Sequence, residues 1–329
     1  RDTKSDIVIK GEGEQAMLDI VNGKRDRIVT APLVENIDEI PMPAWDLIDM
    51  HDYVKMGTNS VIGPTPNNKE AKILTARGCP FDCAFCAQAA ISKRRMRYKS
   101  VQRVVDEIKH VHYTYGVDRV NFFDDTFIVD DKRVVKLCAG LKEIHDDGIL
   151  YDWHCLTRAD RTDPELFRIM KEAGCSQVTY GIETGSQKIL DVIEKQTTVE
   201  ENMNAIKIAK AAGIKVRAQM IVGLPGETQE TVEETANFIR EAPADSFGMH
   251  IFVPLPGGQI WNDPERFNFP IDKDTTFEYY HTIGKRTEED AAYLHQNPKQ
   301  IIEWKNYLVK VIGERNIVKF AEIRGSEQG

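Results

Sequence analysis

The sequence predicts an α/β protein built on a parallel sheet whose strands are joined by crossover helices. Three observations predict it. From Lys72 to about Leu255, apolar β-like runs alternate with amphipathic helical runs in six units. Gly116, Gly148, Gly174 and Gly213 fall where helical runs should end. Each strand-like run also closes on a polar or glycine-rich stretch, where βα barrels gather their active-site residues.

Composition bounds the rest. A chain of 329 residues fits two ordinary domains or one βα barrel with extensions. Hydrophobic residues make up 41%, enough for a sizeable core, so disorder is not the expectation. A net charge of −9 argues against a mainly electrostatic nucleic-acid binder. No apolar run approaches membrane-spanning length, and no signal peptide is visible, although the sequence opens on Arg1 and leaves targeting open. Cys138, Cys155 and Cys175 are isolated in sequence and read as small buried residues. Free thiols point to a reducing cytoplasm.

Taken in order, residues 1–30 hold one βα unit: a strand over Asp6–Lys10, a Gly11-Glu12-Gly13-Glu14 turn and a helix over Gln15–Asn22 stopped by Gly23. Such a unit cannot bury both its faces alone. Residues 31–71 are aperiodic and proline-rich (Pro32, Pro41, Pro43, Pro64, Pro66), a linker or wrapping segment. The core spans 72–260, with strands near 73–78, 118–123, 152–157, 177–182, 215–222 and 247–253. Its helices are expected near 101–115, 131–146, 164–173, 199–212 and 228–241. Asp163 is placed as an N-cap before Pro164, and Thr198 with Glu201 fits a capping box. Residues 261–329 form a helical C-terminal extension with Trp261, Trp304 and the aromatics from Phe267 to Tyr280. It is expected to pack over the open side of the barrel and shape a substrate pocket.

The chemistry centres on Ile73–Gln88, ILTARGCPFDCAFCAQ. Gly78 and Pro80 suit a sharp turn into Cys79, Cys83 and Cys86, spaced C-x3-C-x2-C. Three thiolates this close can hold three corners of a four-iron cluster and leave the fourth iron open to a small molecule. A zinc knuckle needs a fourth ligand nearby, and the nearest downstream candidates, His110 and His112, lie far off inside a predicted helix.

This loop resembles the signature of the radical SAM enzymes, in which an aromatic residue, here Phe85, precedes the third cysteine. The resemblance implies a partial, six-unit TIM-type barrel. It further implies a 4Fe-4S cluster on Cys79, Cys83 and Cys86 whose open iron chelates S-adenosylmethionine (SAM). It covers about 72–260 strongly and 1–71 weakly. The N-terminal unit and the piece IDEIPMPAWDLID are similar to the end of a cobalamin-binding Rossmann-like domain and its connector. The alternative is a βα embellishment of the barrel. The D-x-H-x-x-G motif that carries the cobalt ligand in that branch is not in this sequence, and Asp152-Trp153-His154 does not complete it. A truncated domain is therefore expected, with cobalamin a cofactor of a longer protein rather than of this chain.

The same resemblance assigns the strand ends. Phe85 shields the cluster or packs against a bound ring. Asp124 and Asp125, in F-F-D-D-T-F, take the amino group of SAM; the other reading of the pair is an N-cap and loop. Arg158 lies near the SAM carboxylate or simply pairs with Asp160. Glu183, in G-I-E-T-G, contacts SAM through its ribose or methionine part. Gly223, Leu224 and Pro225, in G-L-P-G-E, lie beside the adenine. Gly258 departs from the P-x-P-G-T that many relatives have. The basic run from Lys93 to Lys99 can bind a phosphate-bearing substrate or RNA, or be a solvated approach to the first helix, which is favoured.

The expected function is a radical SAM enzyme that abstracts hydrogen from an unknown substrate, with methyl transfer the first expectation and a flavodoxin- or ferredoxin-type electron donor. A tRNA methylthiotransferase is the second enzyme reading, weakened by the acidic charge and by the lack of three further upstream cysteines. A cluster-bearing electron carrier is the non-enzymatic alternative, and it leaves Glu183 and the 223–227 loop without a task.

Overall fold

A six-stranded parallel sheet forms the centre of the protein, seen in a computed structural model that describes residues 5–54, 65–276 and 288–326. Its strands are β1 (Glu70–Ile73), β2 (Arg119–Phe122), β3 (Asp152–Thr157), β4 (Cys175–Glu183), β5 (Lys215–Val222) and β6 (Ser246–Ile251). They lie in sequence order from edge to edge, every neighbouring pair parallel. Helices α1 (Val101–Tyr115), α2 (Asp131–Asp146), α3 (Pro164–Glu172), α4 (Val199–Ala211) and α5 (Gln229–Glu241) make the five crossovers. The result is the partial βα barrel expected, open between β1 and β6.

The local signals act where the sequence places them. Asp163 Oδ1 accepts the Leu166 N–H at 2.9 Å, and Thr198 and Glu201 form a reciprocal capping box. Gly116 closes α1 in the left-handed region at φ 73°. The helix-facing side of the sheet is apolar: Phe122, Phe127 and Trp153 lie 5.3–5.4 Å apart by ring centroid and are at most 1% exposed. Each such side chain contributes roughly 1.5–3 kcal/mol of burial. Cys138, Cys155 and Cys175 sit in this core, but they are neighbours rather than isolated; burial and the adjoining Cys175 push the Cys155 thiol well up.

The first strand differs from its expected span. β1 ends at Ile73, and Ala76–Arg77 instead pairs antiparallel with Arg97–Tyr98. The physical reason is Asp124, whose carboxylate takes the N–H groups of Thr75 and Ala76 at 2.7 and 3.1 Å and so turns the chain off the sheet.

At the N-terminus the unit is strand–helix–strand. Val8–Lys10 pairs in parallel with Ile28–Thr30 across a helix over Gly13–Val21, and the second strand was not expected. Its acidic turn docks on the barrel: Glu12 meets Arg97 at 2.7 Å and Glu14 meets Arg77 at 2.6 Å.

Among the described residues the C-terminal extension packs against α5 and β6. Helix α6 (Pro298–Ser326) runs along α5, where Trp304 Nε1 donates to Gln229 Oε1 at 2.8 Å and the Tyr307 hydroxyl donates to Glu233 at 2.5 Å. Phe277, Tyr279 and Tyr280, among the aromatics singled out above, lie outside the described residues, as does Pro64. The segment that walls the barrel near β1 is Trp45–Val54, whose Val54 carbonyl accepts the Glu70 N–H at 2.8 Å.

Candidate active site

The cysteine loop rises from β1 and is fixed from below. Gly78 sits at φ 101°, and a Cβ there would lie 2.1 Å from the Arg95 carbonyl oxygen, so only glycine fits. Ala84 donates its N–H to the Ile193 carbonyl at 2.9 Å and accepts from the Ile260 N–H at 3.1 Å. Ala84, Ile189, Ile193, Leu224 and Phe252 form a second apolar core beneath the loop. The thiols above it are half-buried.

Two of the three sulfurs have a donor within hydrogen-bond reach. Cys83 Sγ accepts from Arg158 Nη1 at 3.4 Å, and Cys86 Sγ from the Gln88 N–H at 3.4 Å. Burial pushes the Cys79 and Cys86 thiols up. Donors aimed at sulfur suit thiolates that carry iron, because N–H···S bonds offset the charge of a thiolate-ligated cluster. Among the described residues no three His, Cys, Asp or Glu side chains are arranged to hold a single metal ion. Three thiolates that each take a different corner of a cube need not meet at one point.

The two aspartates after β2 brace this loop. Asp124, 4% exposed, holds the Thr75 and Ala76 N–H groups and the Thr75 hydroxyl, and burial pushes its carboxyl up to about 6. Asp125 is exposed and accepts from the Gly78 N–H at 3.1 Å and from Gln88 Nε2 at 2.5 Å, tying the two ends of the loop together.

Arg158 leaves the end of β3 and lies with its guanidinium 3.9 Å from the Phe81 ring centroid. Besides Cys83 it binds Asp160 at 2.9 Å, the pair expected as its alternative role, and the Lys195 carbonyl at 2.7 Å. At the end of β4 a register shift between Gly181 and Glu183 puts Glu183 at φ 68°, a strained backbone for a non-glycine residue. Its carboxylate, buried, meets Lys195 Nζ at 2.5 Å. A Cβ on Gly181 would lie 2.4 Å from Glu183 Oε1, so the glycine makes room for the acid. The Lys195 ammonium also stands 5.5 Å over the Phe85 ring. Phe85, Glu183, Lys195 and Arg158 thus form one side of the cysteine loop.

Gly223, Leu224 and Pro225 follow β5. Gly223 adopts φ 90°, with the His295 imidazole against it where a Cβ would lie 2.7 Å from the ring. Leu224 is 2% exposed and belongs to the apolar core under the loop, and Pro225 is buried. Glu227 closes the turn by accepting the Gly223 N–H at 2.5 Å, and burial raises its carboxyl to about 8. The basic run is neutralised locally: Arg94, Arg95, Arg97 and Lys99 pair with Asp82, Glu35, Glu12 and Glu107.

Two features escaped the sequence reading. Lys195 carries no motif, and only its position after the Glu183 loop hints at a partner. The barrel interior is a cavity of about 840 Å³ with a polar wall that includes Lys72, His154, Gln177, Arg217, Gln219 and His250. Its signal was present: Lys215–Val222, KVRAQMIV, alternates polar and apolar residues, whereas strands covered on both faces usually run continuously apolar.

Comparison with known proteins bears on this geometry. The family described as the Radical SAM superfamily matches residues 73–239. The chain is 33% identical over 275 residues to an uncharacterized methyltransferase of Pyrococcus horikoshii, covering 78% of this chain and 57% of that protein. It is 30% identical over 303 residues to an anaerobic magnesium-protoporphyrin IX monomethyl ester cyclase of Rubrivivax gelatinosus, covering 82% and 52%. The chain thus spans about half the length of these curated relatives. A solved cobalamin-dependent S-adenosylmethionine radical enzyme, OxsB, shares the fold with a TM-score of 0.58 at 19% identity, covering 78% of this chain and 39% of that one.

Proposed function

The chain belongs to the radical SAM superfamily, and on that premise we propose that it holds a 4Fe-4S cluster on Cys79, Cys83 and Cys86 and binds SAM beside it. A reduced cluster held by these three cysteines would supply the one electron that splits SAM into methionine and a 5′-deoxyadenosyl radical able to abstract hydrogen. The observation that carries the reading is the tight cysteine loop with N–H donors aimed at two of its sulfurs, Cys83 and Cys86.

The chain's own residues bind and orient. Glu183, held by Lys195, offers a fixed carboxylate for hydroxyl or ammonium groups of SAM. Arg158 places a permanent positive charge against Cys83 and near the path of a carboxylate. Phe85 supplies an apolar face, and Gly223, Leu224 and Pro225 let backbone approach a flat ring. Asp125, exposed at the mouth of the cavity, is the better placed of the two aspartates for an amino group; Asp124 positions the loop.

Members of this family need a reductant and a substrate. Here the reductant is assigned to a flavodoxin- or ferredoxin-type donor, and the compartment to a reducing cytoplasm. Among the described residues no helix is long and apolar enough to cross a membrane. Methyl transfer is the first reading of the reaction, because one relative is named a methyltransferase; the other is named a cyclase. No residue of this chain is assigned to cobalt. After anaerobic iron reconstitution and reduction, the protein should contain about four irons and release 5′-deoxyadenosine from SAM. Bound zinc in place of iron, or an intact cluster that leaves SAM uncleaved, would overturn the proposal.

A further inference from the structure

The inner face of the barrel is chemically lopsided. Three carboxylates border the cavity, and each is engaged by the protein's own donors. Glu70 meets His154 Nε2 at 3.0 Å, Asp124 holds Thr75 and Ala76, and Asp125 holds Gly78 and Gln88. The cation on the β1 wall has no such match. Lys72 is exposed to the cavity, its ammonium stands 5.1 Å from the Phe123 ring centroid, and among the described residues it forms no ion pair. Arg217, on β5, adds a second permanent positive charge to the cavity lining.

Deeper in, Gln177 is 3% exposed, and among the described residues its side-chain oxygen Oε1 accepts no hydrogen bond. A buried acceptor left unmatched costs about 1–3 kcal/mol, which a donor on an occupant would relieve. Beside β1 the lining is apolar, formed by Trp45, Ile48, Met50 and Val54.

We propose that this cavity takes a substrate with an anionic group held by Lys72, an N–H or O–H donor held by Gln177 Oε1, and an apolar portion against the Trp45–Val54 wall. Calling the occupant a substrate rests on the radical SAM reading; the binding chemistry does not. A pure hydrocarbon would leave both Lys72 and Gln177 unmatched.

The test uses the reconstituted full chain with SAM and two fluorescent probes. One is 1-anilinonaphthalene-8-sulfonate, with an anion, an N–H and apolar rings; the other is N-phenyl-1-naphthylamine, the same skeleton without the sulfonate. Lys72→Met should weaken the sulfonate probe by about five- to tenfold and leave the neutral probe unchanged, while Lys72→Arg should retain binding. Gln177→Leu should weaken both probes by roughly threefold or more, since both carry the N–H. Lys72 is exposed, so its variants fold and the Lys72 arm stands by itself. Equal effects of Lys72→Met on the two probes, or none on either, would overturn the proposal. Neither probe requires SAM cleavage. Deoxyadenosine formed without the Lys72 effect would reject the cavity chemistry alone; the Lys72 effect without deoxyadenosine would reject the radical reading alone.

Discussion

Replacing Lys195 with Met removes half of the pair that holds Glu183. The two side chains are 6% and 8% exposed and meet at 2.5 Å. An exposed pair contributes about 0–1 kcal/mol, but stripping one partner from a buried pair costs about 3–5 kcal/mol, because the remaining charge stays desolvated. Glu183 has little means of escape: its backbone is pinned at φ 68°, and its carboxylate is folded back over Gly181. Lys195→Met should therefore lower stability by about 3–5 kcal/mol. Glu183→Gln with Lys195→Met should be less harmful than the two single changes summed, by at least about 2 kcal/mol, since neither partner then carries a charge. Anaerobic urea unfolding followed by far-ultraviolet circular dichroism measures all four corners of this cycle. A Lys195→Met loss under about 1 kcal/mol, or simple additivity, would show that the pair is solvated and that Glu183 is not held as described.

Asp124 should give stability a pH dependence of known sign. Its folded carboxyl is raised to about 6 from 3.8, so its contribution is fullest below the unfolded value and is lost as pH rises through about 6. The loss amounts to about 3 kcal/mol over those two units, and Asp124→Asn should flatten that part of the urea-midpoint profile between about pH 4 and pH 6. Gly223→Ala combines a left-handed backbone with a Cβ 2.7 Å from the His295 ring; a loss of about 2 kcal/mol or more is expected in thermal unfolding. Adding His295→Ala should recover only the part due to the clash. Changing Cys79, Cys83 and Cys86 together to Ala should abolish iron binding and SAM cleavage while the far-ultraviolet spectrum keeps its shape; cleavage that survives in this variant would sink the cluster assignment.

Much of the fold was legible because its helices are delimited by local chemistry. Ser100, Asp163 and Thr198 begin helices through their own side chains, and Gly116 ends one, so those bounds depend little on tertiary contacts. The first strand was misplaced because its end is set by Asp124, about fifty residues downstream, which no local pattern reveals. The strand at Ile28–Thr30 is three residues long and mostly exposed, too short for a periodic signal. At the site, the cysteine loop and the glycine turns stand out because they use rare residue types in tight spacing. Lys195 and Gln177 do not, since their roles arise only when the barrel brings Lys195 to Glu183 and turns Gln177 inward.

The most direct test of the central claim is electron paramagnetic resonance of the dithionite-reduced, anaerobically reconstituted protein, recorded with and without SAM. A reduced four-iron signal that changes when SAM is added is the predicted result, because the iron left open by three cysteines would then acquire SAM as its ligand. An intact four-iron signal indifferent to SAM would contradict the account and leave the loop as the seat of an electron-carrying cluster.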